Sequence, residues 1–144
     1  MIYKATKTDA SCIAEIAIIL WQNHTMEELV VEFEEILDRE DSAIYLLYED
    51  AYPIGFAQCQ LRNDYVEGTK SKPVGYLEGI FVRQEYRNKG YARELLKHCE
   101  NWAKEKGCIE FASDCELTNS ESLKFHLKMG FTEANRIICF TKHL

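Results

Sequence analysis

The backbone amides from Asn88 to Ala92 fall where a strand gives way to a helix, a place where a chain can hold phosphate. The run Ile80-Phe81-Val82-Arg83-Gln84-Glu85-Tyr86-Arg87-Asn88-Lys89-Gly90-Tyr91-Ala92 reads as strand, turn and helix. The first amides of a helix have no partner inside it, and the helix dipole adds positive potential at the same end. Gly90 lets the backbone approach a ligand closely, and the small Ala92 leaves room beside it. Lys89 or Arg87 either adds charge to that cradle or is a solvated side chain of the loop. The pattern is neither a Walker loop nor a GxGxxG fingerprint, and a plain turn before a helix would also read this way.

The elements that must carry this turn alternate along the chain. Residues 2–5 predict a first strand. Thr8-Asp9 is a cap for a helix with Ile13, Ile16, Ala17 and Leu20 on one stripe. Thr25-Met26-Glu27-Glu28 has the capping-box pattern, opening a helix that turns Leu29, Val30, Phe33, Ile36 and Leu37 inward. Residues 42–49 and 54–61 predict two strands about a turn at 50–53; a polar loop at 62–72 then leads to a strand at 74–82. From Gly90 a helix carries Tyr91, Leu95, Cys99 and Trp102 at three- and four-residue intervals and stops at Gly107. A short strand at 109–112, a helix from about 119 to 129 stopped by Gly130, and a strand over 137–141 complete the order. The expectation is a mixed α/β domain in which at least one strand–helix–strand unit pairs in parallel through a right-handed crossover.

The chain has 144 residues, enough for one domain, 1–144, with its own core. Hydrophobic residues at 47% and charged residues at 28% are ordinary for a globular protein and argue against disorder. No apolar run approaches the roughly 18–20 residues that cross a bilayer, and the first residues lack a signal peptide's apolar stretch. A cytoplasmic protein without a membrane partner is expected. The six cysteines form no CxxC pair and the four histidines show no metal spacing, so reduced core cysteines and no metal are expected. A net charge of −7 disfavours a nucleic-acid partner and suits a cationic small molecule. The acidic run Glu27, Glu28, Glu32, Glu34, Glu35 and Asp38 reads as a solvated helix face.

Arg87-x-x-Gly90-x-Ala92, after a strand ending Ile80-x-Val82, resembles the acetyl-CoA signature of the GNAT superfamily of N-acetyltransferases. The element order and the segment His126-Leu127-Lys128-Met129-Gly130-Phe131 are similar to that superfamily as well. Asp64-Tyr65-Val66-Glu67-Gly68, Ser71-Lys72-Pro73-Val74-Gly75-Tyr76-Leu77-Glu78-Gly79-Ile80 and Glu110-Phe111-Ala112-Ser113-Asp114 resemble the small aminoglycoside 6'-N-acetyltransferases. So do Leu20-Trp21 and the closing Gly130-Phe131 strand pair, and the resemblance spans nearly the whole chain. It implies the GNAT fold: a mixed central sheet with flanking helices, in which the fourth and fifth strands splay apart at a bulge.

The same resemblance implies roles. The strand at 77–82 would be the central one, with backbone groups of Ile80, Phe81 and Val82 pairing with the pantetheine arm and an N–H polarising the thioester carbonyl. The amides of Asn88, Lys89, Gly90, Tyr91 and Ala92 would take the pyrophosphate of acetyl-CoA, with Arg87 beside them, and Asn119 would hydrogen-bond the pantetheine. Acetylating an amine requires an uncharged nucleophile, a stabilised oxyanion and a protonated leaving thiolate. An alkylammonium titrates near ~10, so a carboxylate, or a water it orients, has to take its proton. Glu78 leads, as an acid in a largely apolar strand where an unpaired carboxylate would be costly. Asp114, after a short strand, would pair with substrate ammonium groups or share the base role. Many GNAT enzymes carry Tyr four residues before the Gly-Phe pair; here the residue is His126, able to protonate the thiolate or hydrogen-bond the sulfur. Trp21, His24 and Tyr65 would border the acceptor cleft, unless Trp21 only caps the core, and Asn135 stands where relatives carry an acid. The implied acceptor is the 6'-amino group of an aminoglycoside antibiotic, and the implied assembly a homodimer joined through residues 137–140. Acetylation of another amine such as a polyamine, or a non-catalytic acyl-CoA sensor, remains open.

Overall fold

Five strands lie side by side in chain order in the computed structural model, which describes residues 1–144. They are β1 (Ile2–Lys4), β2 (Ser42–Glu49), β3 (Tyr52–Arg62), β4 (Val74–Val82) and β5 (Phe111–Ala112). All neighbours are antiparallel except β4 and β5, which are parallel and joined through a long helix. Between β2 and β3 only Asp50 and Ala51 turn the chain, both at positive φ (48° and 64°), the twist a two-residue hairpin needs.

The helices are α1 (Ala10–Leu20), α2 (Met26–Leu37), α3 (Tyr91–Glu105) and α4 (Ser120–Lys128). A 3₁₀ turn over Lys7–Asp9 precedes α1, and Thr6 rather than Thr8 makes the entry, its N–H donating to Asp9 Oδ2 at 2.8 Å. The capping box of α2 forms in both directions: Glu28 N–H donates to Thr25 Oγ1 at 3.2 Å and Thr25 N–H to Glu28 Oε2 at 3.3 Å. α3 ends at Gly107, whose φ of 90° suits a left-handed C-terminal position.

Strand alternation divides the apolar residues between two cores. On one face Ile44, Leu46 and Phe56 meet Ile13, Ile16, Leu29 and Phe33 of α1 and α2. On the other, Ala43, Leu47, Ala57, Cys59 and Leu77 meet Leu95, Leu96, Cys99 and Trp102 of α3. α3 approaches β4 so closely that a Cβ on Gly75 would stand 2.6 Å from that of Ala103. None of the helices is long and apolar enough to cross a membrane.

Four expectations are corrected. β3, not β4, is the middle strand, because nothing pairs beyond β5. The strand expected at 137–141 does not form: residues 131–144 carry no helix or strand, and Ile137, Ile138 and Phe140 are 72%, 79% and 86% exposed. A strand needs a partner edge, and β5 offers one of only two residues. Arg62 is the last residue of β3, not the first of a loop. Cys59, Cys99 and Cys108 are core residues, but Cys115 and Cys139 are exposed.

Candidate active site

Glu78 is aimed by an irregularity in the sheet. In the β3–β4 ladder Gln58 faces Gly79 and Cys59 faces Leu77, so Glu78 is the extra residue of a bulge. Its Oε1 accepts from Arg62 Nε at 3.0 Å and Nη2 at 2.9 Å, and its Oε2 accepts from Nη2 at 3.0 Å. The carboxylate therefore has a partner, supplied by the end of β3, and the cost of an unpaired acid in this strand is avoided. The Arg62 guanidinium lies 3.5 Å from the centroid of the Tyr76 ring. The Tyr76 hydroxyl in turn donates to Asp114 Oδ2. Burial, and then the Asp114 carboxylate, push the Tyr76 phenol up, so it remains a donor through neutral pH. Glu78, Arg62, Tyr76 and Asp114 thus form one continuous chain of contacts.

Next to this chain the sheet opens. β4 and β5 pair only at Gly75–Phe111 and Tyr76–Ala112, so from Leu77 to Val82 β4 has no strand on that side. Such an edge, which includes Ile80, Phe81 and Val82, has backbone groups for an extended chain. At its end the backbone turns through Gln84–Tyr86, with Asn88 at φ 63° and Gly90 at φ 85°, into α3. Side chains of Thr25 and Asn119 cap α2 and α4, but none caps α3. The helix's first bond runs from Glu94 N–H to Gly90 O at 3.2 Å, which leaves the preceding amides available to an anion. A Cβ on Gly90 would meet nothing within 4 Å, so glycine serves the backbone angle there, not the space. Arg87 braces the turn: Nε donates to Val82 O at 2.8 Å, and the guanidinium lies 5.3 Å from the Phe81 ring. Lys89 Nζ sits 5.3 Å from the Tyr86 ring, Tyr91 donates its hydroxyl to Glu49 Oε2 at 2.9 Å, and Ala92 packs on the core.

A cleft of about 910 Å³ gathers Tyr76, Ser113, Asp114, His126 and Asn135, but neither Glu78 nor the α3 turn lines it. Glu78 reaches it only through Arg62 and Tyr76. Trp21 terminates α1 against Phe33 and Phe56, with ring centroids 6.2 and 5.9 Å away. It also covers Gly79, where a Cβ would come within 2.9 Å of the indole. Trp21 is therefore at once a piece of core and a cover over Gly79 of β4. His24 and Tyr65 stand apart from that cleft on exposed loops, His24 3.8 Å from Glu28 and Tyr65 donating to Glu67 at 2.8 Å. Asn119 spends Oδ1 on the Ser122 N–H at 3.1 Å, and Asn135 Oδ1 accepts from Arg136 N–H at 2.8 Å. The sequence reading missed Arg62, Tyr76 and Ser113. For Arg62 no signal existed, since its ladder partner is Val74, four residues from Glu78, and only its long side chain spans the difference. No three His, Cys, Asp or Glu side chains gather as a metal would require.

Residues 13–131 match the model of the acetyltransferase (GNAT) family. The chain is 40% identical over 123 residues to the aminoglycoside N(6')-acetyltransferase type 1 of Salmonella typhimurium, covering 85% of each. It is 37% identical over 141 residues to the protein of that name from Klebsiella aerogenes, covering 95% of this chain and 92% of the other. Its backbone matches AAC(6')-Iy in complex with the bisubstrate analogue CoA-S-monomethyl-acetylneamine at a TM-score of 0.95 and 36% identity, over 100% of this chain and 98% of that one. AAC(6')-Ih from Acinetobacter baumannii matches at a TM-score of 0.94 and 34% identity, with the same coverage. Likeness on this scale, in sequence and backbone alike, means that the chain belongs to the acetyltransferase (GNAT) family.

Proposed function

We propose that the protein is an aminoglycoside 6'-N-acetyltransferase, moving acetyl from acetyl-CoA to the 6'-amino group of the antibiotic. One observation carries this reading. Over its whole length the chain follows the backbone of AAC(6')-Iy, a protein solved with CoA joined to acetylneamine. The free β4 edge suits a pantetheine arm, and the uncapped start of α3 suits a pyrophosphate. Acetyl-CoA supplies the activated acetyl group as a thioester.

In this reading Arg62 holds the Glu78 carboxylate in place until an ammonium of the incoming drug competes for it, and Glu78 then takes the proton directly or through a water. Asp114, already bonded to Tyr76, offers a second anionic oxygen to the polycation. Asn135 lines the acceptor's cleft, Trp21, His24 and Tyr65 would meet the acceptor only outside it, and the net charge of −7 draws a cation toward them. The amides of residues 88–92 hold the donor. Residues 1–144 act as one cytoplasmic domain, paired with a second copy through the apolar 137–140 segment, a pairing supported by its exposure.

The test is thiol release from acetyl-CoA, with kanamycin or tobramycin compared against a congener bearing hydroxyl at the 6' position. Release with the amine and none with the hydroxyl is expected. Equal release with both would refute the 6' assignment, and faster turnover of spermidine would move the acceptor class to polyamines.

A further inference from the structure

His126 faces no open space with either ring nitrogen. Nδ1 lies 2.7 Å from the carbonyl oxygen of Ser122, and Nε2 lies 2.7 Å from Ser113 Oγ. A carbonyl only accepts, so Nδ1 carries the proton, and in the neutral ring Nε2 is the acceptor for the Ser113 hydroxyl. The ring is further fixed between Phe125 and Phe131, with centroids at 5.5 and 5.1 Å. The Ser122 hydroxyl, 3.3 Å from Nδ1, adds a weaker second contact on the same side.

Ser113 stands where the sheet opens. It follows the last paired residue of β5, Ala112, and its Oγ lies 3.5 Å from the carbonyl of Leu77, the first residue of β4 beyond the paired segment. A serine hydroxyl has one proton. With His126 neutral, that proton points to Nε2 at 2.7 Å, and the longer approach to Leu77 is left without it. With His126 protonated, Nε2–H donates to Ser113 Oγ, and the hydroxyl proton is turned out toward Leu77 and the gap between the strands. The hydroxyl therefore reports the charge of the imidazole.

We propose that Ser113 is a catalytic residue of the acetyl transfer, delivering to the departing CoA sulfur a proton that His126, as positioning residue, supplies through Ser113 Oγ. This rests on the acetyltransferase reading above. As the C–S bond of the tetrahedral adduct breaks, its electron pair stays on sulfur and Ser113 gives sulfur its hydroxyl proton. Nε2–H of the imidazolium replaces that proton on Oγ. His126 is left neutral, with Nδ1–H still on the Ser122 carbonyl. The acceptor starts as an ammonium and loses two protons on the way to the amide: the one taken by Glu78 before attack passes to bulk solvent, and the one lost from the adduct nitrogen returns to His126 through solvent. Ammonium and thioester thus give amide, thiol and one released proton, and charge balances. The histidine thus replaces a proton donor at one remove.

The experiment compares wild type, Ser113→Ala, Ser113→Thr, His126→Gln and the Ser113→Ala/His126→Gln double variant in thiol release with a 6'-amino aminoglycoside. Folding of each is checked by its thermal midpoint. Ser113→Ala should lose about 10²-fold in kcat, the lower end of what a positioned proton donor supplies, with KM for acetyl-CoA within twofold. Ser113→Thr should recover most of the loss because it keeps the hydroxyl. The double variant should be no slower than the worse single, since the two residues act as a unit. Full kcat in Ser113→Ala would overturn the relay while leaving acetyl transfer in place. Acetyl-Ser113 trapped by mass spectrometry would overturn it in favour of a nucleophilic serine. No turnover of any amine by the wild type would instead remove the acetyltransferase reading and the relay together. Independently of turnover, ¹⁵N NMR of the neutral His126 ring should read the Nδ1–H tautomer; an Nε2–H tautomer would exclude the relay.

Discussion

Arg62 decides what kind of acid Glu78 is. A carboxylate gripped through both oxygens by a guanidinium is held in one orientation. Glu78→Gln keeps the shape and loses the base, so kcat should fall about 10²-fold with acetyl-CoA affinity unchanged. Calorimetry on acetyl-CoA and thiol release measure the two separately, and an unaltered kcat would take Glu78 out of the reaction. Arg62→Ala leaves that carboxylate half-buried without its partner, and charged hydrogen bonds are worth about 1.5–3 kcal/mol. The thermal midpoint should drop by several degrees, and a midpoint equal to wild type would mean that the pair contributes nothing to stability. The acid itself was legible in the sequence, standing alone among apolar residues. Its partner was not, because a bulge shifts the ladder by one residue and leaves no periodicity to read.

At the scale of elements, helices were the most legible part. Thr25-x-x-Glu28 at α2, the Leu95-Cys99-Trp102 stripe of α3 and Gly107 at its end are local signals, and all appear where they were read. The start of α3 makes the sharper prediction. Gly90 sits at φ 85°, where a residue with a Cβ costs about 1–2 kcal/mol, so Gly90→Val should straighten the turn and weaken acetyl-CoA binding. Acceptor KM should stay near wild type; an unchanged acetyl-CoA Kd would remove the turn from the donor site. Glu110, expected within β5, falls just before it, although its carbonyl still accepts from the Gly75 N–H at 3.1 Å. Its carboxylate accepts from the Lys70 N–H at 2.8 Å and the Ser71 hydroxyl at 2.5 Å, stapling the loop before β4 to the edge of β5. The Ser71 hydroxyl, then the Lys70 amide, hold the Glu110 carboxyl below its ordinary value of 4.5. A depressed carboxyl stabilises above its unfolded pKa and loses that contribution as pH falls through the folded value. Protection factors in residues 66–71, taken relative to the intrinsic exchange rate at each pH, should therefore be high at neutral pH and fall once pH drops below that range, and Glu110→Gln should show the low protection already at pH 7. Equal protection in both proteins would show that the loop is held by something else.

The whole molecule is unfinished on one side. No residue of α4 is buried, and Ile109, Leu117, Leu127, Ile137, Ile138 and Phe140 are all exposed. Apolar side chains exposed in such number would suit an interaction face. The tail's apolar run was legible as strand material, but a strand exists only against an edge, and one chain offers none beyond β5. A second copy would supply both the edge and the cover. Ile138→Asp with Phe140→Asp should then convert the protein from a species of twice 16.8 kDa to one of 16.8 kDa, read by light scattering. The two ligand sites should respond differently. Neither the β4 edge nor the α3 turn contains a tail residue, so acetyl-CoA affinity should survive. Asn135 and the wall of the cleft beside Asp114 and His126 belong to the tail, so acceptor KM should rise. A wild-type protein already at 16.8 kDa would remove the pairing, and a dimer that persists in the double variant would move the contact off this face.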